Sequence, residues 1–141
     1  LCAPVGSLLA GPRDFIEEAR YKRKIMGGGM RQAGILAAAG LTALAEHPPL
    51  LAGDHLRARK LEQGLAELPG VSVQPGDINM VFFRWSAGED AQKARETAAA
   101  FRGRGILINP PEGGLFRFVT HYWIGDKETE AVLAASREIF R

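Results

Sequence analysis

The sequence predicts an α/β protein in two parts. Residues 1–47 read as the closing piece of a larger domain. Residues 48–141 read as a small α+β domain, with helices packed on one face of a small, mainly antiparallel sheet. Three observations carry this. Residues 33–44 are apolar nearly all round, which predicts a helix that is buried or sits in an interface. From Val71 onward the pattern changes from helical spacing to short alternating runs. The chain opens without Met on Leu1-Cys2-Ala3-Pro4-Val5-Gly6, which reads as the middle of a folded element and predicts further residues upstream.

Each element has its own signal. Val5 to Ala10 is a short apolar run closed by Gly11-Pro12, read as a strand and a turn. An amphipathic helix follows from Arg13 to about Met26 and stops at Gly27-Gly28-Gly29. A second helix is predicted from Met30 to about Glu46, ended by Pro48-Pro49. A third, residues 51–68, places Leu61, Leu65 and Leu68 on one face. Val71 and Val73 alternate as a strand. In the next strand Met80, Phe82 and Arg84 face one way and Val81, Phe83 and Trp85 the other. Ser86 with Glu89 reads as a capping box for a helix to about Arg102. Ile106 to Ile108 reads as a strand, residues 109–114 as a loop and Leu115 to Thr120 as a strand. Asp126 is placed as N-cap of a last helix with Val132, Leu133, Ser136 and Phe140 on one face.

Composition bounds the function. The chain has 141 residues, 46% of them hydrophobic and 24% charged, with a formal net charge of +2. That is enough to bury about two-thirds of the unfolded surface, and too apolar for intrinsic disorder. No basic run exceeds Tyr21-Lys22-Arg23-Lys24, so nucleic acid is not an expected partner. No apolar run approaches the roughly 20 residues of a bilayer span, and no signal peptide is recognised. A single cysteine, Cys2, fits a reducing compartment, so a cytoplasmic location is expected; Cys2 itself reads as a small buried hydrophobe. No His or Cys pair has metal-ligand spacing. His47 reads as a surface or capping residue, and His55 as part of a polar helix face.

Three features carry chemistry. Gly27-Gly28-Gly29-Met30-Arg31-Gln32 places Arg31 at a helix start, with Arg23 and Lys24 just upstream. Loop amides, helix end and cations together suit a phosphate or carboxylate, although a hinge or a subunit contact would look the same. Arg117 lies in the aromatic strand Leu115-Phe116-Arg117-Phe118-Val119-Thr120-His121. A guanidinium buried there needs an acid, either in a structural salt bridge or in a substrate carboxylate held by two prongs. Asn109-Pro110 forms a rigid loop that would lie near Arg117 if the two strands pair.

The order and spacing of Leu1-Cys2-Ala3-Pro4-Val5-Gly6-Ser7, Arg31, Asn79-Met80, Ile108-Asn109 and Arg117-Phe118-Val119-Thr120-His121 resemble the C-terminal portion of low-specificity L-threonine aldolases. The resemblance covers essentially the whole chain. It implies the aspartate-aminotransferase fold (fold type I), with pyridoxal 5'-phosphate as cofactor, a small amino-acid substrate, and a homodimer or homotetramer. It implies cleavage of L-threonine or L-allo-threonine to glycine and acetaldehyde, and hence a place in threonine catabolism and glycine biosynthesis. Arg117 matches the residue that holds the substrate α-carboxylate. Arg31 and Lys24 match residues at or near the active site, where Gly28 and Gly29 would let the loop pass close to the cofactor. The lysine that carries the cofactor would fall two positions before Leu1, so no catalytic residue is expected in this chain. Two alternatives remain open: another pyridoxal-phosphate lyase of the same fold, and a non-catalytic α+β amino-acid-binding domain.

Overall fold

A computed structural model describes residues 1–76, 78–111 and 113–141. Glu112, part of the predicted 109–114 loop, lies outside the described residues. The chain divides into two compact units, Leu1–Pro49 and Leu50–Arg141.

The first unit contains two helices, α1 (Arg13–Ile25) and α2 (Gly34–Glu46). The predicted strand at Val5 to Ala10 does not form. A strand is stable only when a neighbour takes its backbone hydrogen bonds, and none does so among the described residues. Cys2, expected to be buried, is exposed, like every residue up to Phe15. Helix α2 begins four residues later than predicted. Gln32 adopts a left-handed backbone conformation, with φ 52°, and no side chain caps the first turn. Within this chain α2 is not buried: Ile35 is 82% and Leu41 69% exposed, and Ala43 is its one buried residue.

The second unit has a core. After a short 3-10 turn (Pro48–Leu50) come α3 (Leu51–Ala66), β1 (Val71–Gln74), β2 (Met80–Trp85), a 3-10 turn (Ser86–Glu89), α4 (Ala91–Arg102), β3 (Leu115–Val119) and α5 (Asp126–Ile139). The sheet order is β1-β2-β3, antiparallel throughout, with Phe83 opposite Val73 on one side and Phe116 on the other. Residues 106–108 do not join it. They follow α4 without regular structure, so the expected fourth strand is absent among the described residues.

Alternation divides the sheet as the sequence predicts. Val81, Phe83, Phe116 and Phe118 point into the core, and Phe82, Arg84, Arg117 and Val119 to the other face. The inner face meets Leu61 and Leu65 of α3, Phe101 of α4 and Leu133 of α5. Phe83 is central, with ring centroids 5.2 Å from Phe116, 5.2 Å from Phe118 and 5.8 Å from Phe140. Such aromatic pairs add directional attraction to the burial of their area.

Two helix starts differ in detail from expectation. Helix α4 is capped by Asp90, whose carboxylate accepts from the Lys93 amide at 2.8 Å, while Ser86 and Glu89 lie in the preceding 3-10 turn. Asp126 is the first residue of α5 rather than its cap. The N-cap is Gly125, whose amide donates to Glu128 at 2.9 Å.

Candidate functional site

The outer face of the sheet in the second unit carries the site. Arg117 sits in the middle of β3, opposite Phe82 of β2. Period-two alternation turns Phe116 and Phe118 inward and therefore turns Arg117 outward. The expectation of a buried guanidinium is thus corrected: flanking aromatics in a strand bury the opposite face, not the residue between them.

Arg117 lines an open cavity of about 450 Å³. Asn109 and Pro110 line it as well, so loop and arginine meet as expected, although without strand pairing. Phe82, Leu107 and Val119 supply apolar wall. Arg117 makes no hydrogen bond or ion pair among the described residues. The neighbouring Arg84 does: it donates to the Gly113 carbonyl at 2.6 Å and so fastens the loop before β3. A planar donor fork left free in a cavity suits a carboxylate, which can take two parallel hydrogen bonds.

The frame behind Arg117 is fixed by polar contacts. The Thr120 hydroxyl donates to the Asp54 carbonyl of α3 at 2.8 Å. The Thr120 amide donates to the Asn79 carbonyl at 2.9 Å, and the Asn79 side chain donates back to the Thr120 carbonyl at 2.6 Å. Asn79 therefore clamps the entry of β2 to the exit of β3.

The glycine loop of the first unit behaves differently from its expectation. The Gly27 amide donates to the Lys24 carbonyl at 3.1 Å, Gly28 to Arg23 at 2.8 Å, and Gly29 to Gly27 at 2.9 Å. The first two close the C-terminus of α1 and the third closes a turn within the loop, so the three amides are not turned toward an anion. The glycines serve the side chains instead. A Cβ on Gly28 would lie 2.6 Å from the Arg23 side chain, and one on Gly29 would lie 3.0 Å from Lys24 Nζ. Arg31 lies in the turn before α2, exposed, not at the helix start. The loop thus presents cationic side chains rather than a backbone cradle.

The lysines test whether this chain could hold pyridoxal phosphate covalently. Lys60 Nζ lies 2.5 Å from Glu130, which raises its pKa and keeps it protonated. Lys22 is near Glu18, Lys24 lies over Gly29, and no described lysine lines the Arg117 cavity. The described residues fit the carboxylate of an amino acid; they do not fit the covalent anchor of the cofactor.

Sequence reasoning missed one lining residue, Arg102 at the end of α4. Only its place in a helix's last turn was visible, and a cation there is ordinarily explained by the helix dipole.

The fold and the free arginine define a mixed α/β protein with a guanidinium left unpaired, among the described residues, on the outer face of a small antiparallel sheet. A family model described as beta-eliminating lyase matches residues 1–88. The chain belongs to that family. It is 37% identical over 139 residues to the probable low-specificity L-threonine aldolase 2 of Arabidopsis thaliana, covering 98% of this chain and 39% of that protein. It is 41% identical over 134 residues to the low specificity L-threonine aldolase of Escherichia coli K12, covering 95% of this chain and 38% of that protein. A decarboxylase structure from Sulfurospirillum multivorans matches 61% of the chain and 25% of its own, at 18% identity and a TM-score of 0.49. The chain spans about two fifths of the length of the curated relatives it matches.

Proposed function

We propose that this chain forms the C-terminal, carboxylate-binding part of a pyridoxal-phosphate-dependent lyase. The enzyme cleaves β-hydroxy amino acids, L-threonine or L-allo-threonine among them, to glycine and an aldehyde. The observation that carries the reading is Arg117, a guanidinium with no partner among the described residues, held on a rigid strand in an open cavity. The family match and the printed names of the relatives support it.

The cofactor, when bound, supplies the electron sink for the breaking Cα bond. Arg117 holds the α-carboxylate by both oxygens. That grip would fix rotation about Cα and so decide which Cα bond is presented for cleavage. Asn79 and Thr120 position Arg117 through the strand. Arg31 and Lys24 add positive potential for an anion of substrate or cofactor; Gly29 leaves room for the Lys24 side chain and Gly28 for that of Arg23. The anchoring lysine lies outside this chain. The apolar surface of α2 serves self-association of the whole protein.

Arg117→Lys in the full-length protein tests the reading. Lysine keeps the charge but loses the planar fork. The expected outcome is a fall in kcat/KM for threonine of at least about 100-fold, or roughly 2.7 kcal/mol of transition-state stabilisation. Cofactor absorbance and Tm should change little. A kcat/KM within about threefold of wild type with a lowered Tm would make Arg117 a structural residue and overturn the assignment.

A further inference from the structure

We propose that Arg102 is a second anion-binding group of the Arg117 cavity, so that the site takes dicarboxylates, including β-hydroxy amino acids with a distal carboxylate. The inference rests on the reading of Arg117 given above and extends it to the substrate class.

The argument starts from how the neighbouring arginines are used. Arg104, two residues beyond Arg102, donates to Glu138 at 3.0 Å and to the Ala100 carbonyl at 3.0 Å. Glu138 is therefore already engaged. On α4 itself, Glu96 accepts from Gln92 at 2.9 Å. Arg84 is spent on the Gly113 carbonyl. Arg102 and Arg117 are the two arginines that line the cavity, and neither has a hydrogen bond or ion pair among the described residues.

No carboxylate appears among the cavity's described lining residues. Its other polar side chain is Asn109, a neutral amide. Two like charges facing one concavity raise its positive potential, and a ligand with two anionic ends relieves both. Both guanidinium groups are exposed, so the pair acts through water and added salt should weaken it. The volume of about 450 Å³ is within the range of small-ligand sites and exceeds what a single carboxylate needs. Charge-assisted hydrogen bonds from a guanidinium are worth enough to discriminate a dicarboxylate from its monocarboxylate analogue.

The test is calorimetric titration of the full-length holoenzyme with succinate and with butyrate, acids of equal chain length that differ by one carboxylate. Wild type should bind succinate about tenfold tighter. Arg102→Gln should remove that preference by weakening succinate much more than butyrate, and Arg102→Lys should keep part of it. Arg117→Gln should weaken both acids. Circular dichroism melting of each variant confirms folding. Equal affinities in wild type, or a preference that survives Arg102→Gln, would overturn the inference. Threonine turnover on the same preparations separates the two readings. Turnover without a succinate preference removes the Arg102 site alone. A preference without turnover leaves the second anion group in place and removes the proposed reaction.

Discussion

The two units are each about half helix but solve burial differently. In Leu50–Arg141 every helix turns an apolar face toward one sheet, and five phenylalanines are 7% exposed or less. In Leu1–Pro49 the helices are of equal length, 13 residues each, yet Ala43 is the unit's one buried hydrophobic residue. Helical pattern does not by itself make a core. Helix α1 is amphipathic and buries no residue, whereas α3 owes its fixed place to Leu61 and Leu65 packing on the sheet. Isolated helices of this length are marginal in water, and packing supplies most of the stability of a helix in a protein. The region with a core positions Arg117; the region without one carries Arg31 and Lys24.

The largest break in that comparison comes from the core. Phe83→Ala removes the ring on which Phe116, Phe118 and Phe140 converge. We expect a loss of about 3–5 kcal/mol, read as a lowered urea midpoint. Hydrogen exchange sharpens the contrast. Amides of β2, β3 and α5 should show the protection of global unfolding, while those of α1 and α2 exchange through local opening. Equal protection in both regions would show that the first unit gains its stability by a route other than burial.

An effect of middle size concerns the entry to α4. Asp90→Ala removes the side chain that accepts the Lys93 amide. The expected cost is about 1 kcal/mol. Because α4 packs Phe101 into the core, the loss should appear in the melting of the second unit. A smaller effect is expected on α2. Ile35→Ser changes a residue 82% exposed and should shift the stability of this chain by no more than about 0.5 kcal/mol. In the full-length protein the same change should weaken self-association, measured by sedimentation. An unchanged oligomer would remove α2 from the interface.

Much of the second unit was legible because its signals are local. Period-two alternation sorted every residue of β2 to its face, and Leu61 and Leu65 marked the inner side of α3; Leu68, expected on the same helix, packs against the core just past its end. What failed depended on partners that a linear pattern does not contain. The apolar runs at residues 5–10 and 106–108 have strand composition but no neighbour to pair with among the described residues. Gln32 took a left-handed conformation that its side chain does not announce. The glycine loop was recognised as a tight passage, but whether its amides face an anion or the end of α1 is decided by hydrogen bonds. Arg117 was found from its motif, although the physical argument for it assumed burial. Alternation alone, applied as it was to β2, would have turned it outward. Arg102 became visible only when the cavity joined α4 to β3.

The smallest effect expected is electrostatic, and it measures how little the core depends on surface charge. Lys60 of α3 lies 2.5 Å from Glu130 of α5, and both side chains are about half exposed, at 48% and 55%. The hydrogen bond to Lys60 holds the Glu130 carboxyl below its ordinary value of 4.5. The same bond holds Lys60 above 10.5. A lowered acid contributes stability that is present above 4.5 and is lost as pH falls through the lowered value. A raised base contributes stability that is present below 10.5 and is lost as pH rises through the raised value. The Tm difference between wild type and Lys60→Met should therefore be flat between those two limits and shrink outside them at both ends. Solvent exposure should keep the plateau small, and added salt should reduce it further. Helices α3 and α5 already meet through Leu61, Leu65 and Leu133, so the variant should keep the cooperative transition of the second unit. A Tm difference that widened as pH fell below 4.5 would assign the effect to lost packing of the lysine stem, not to the ion pair.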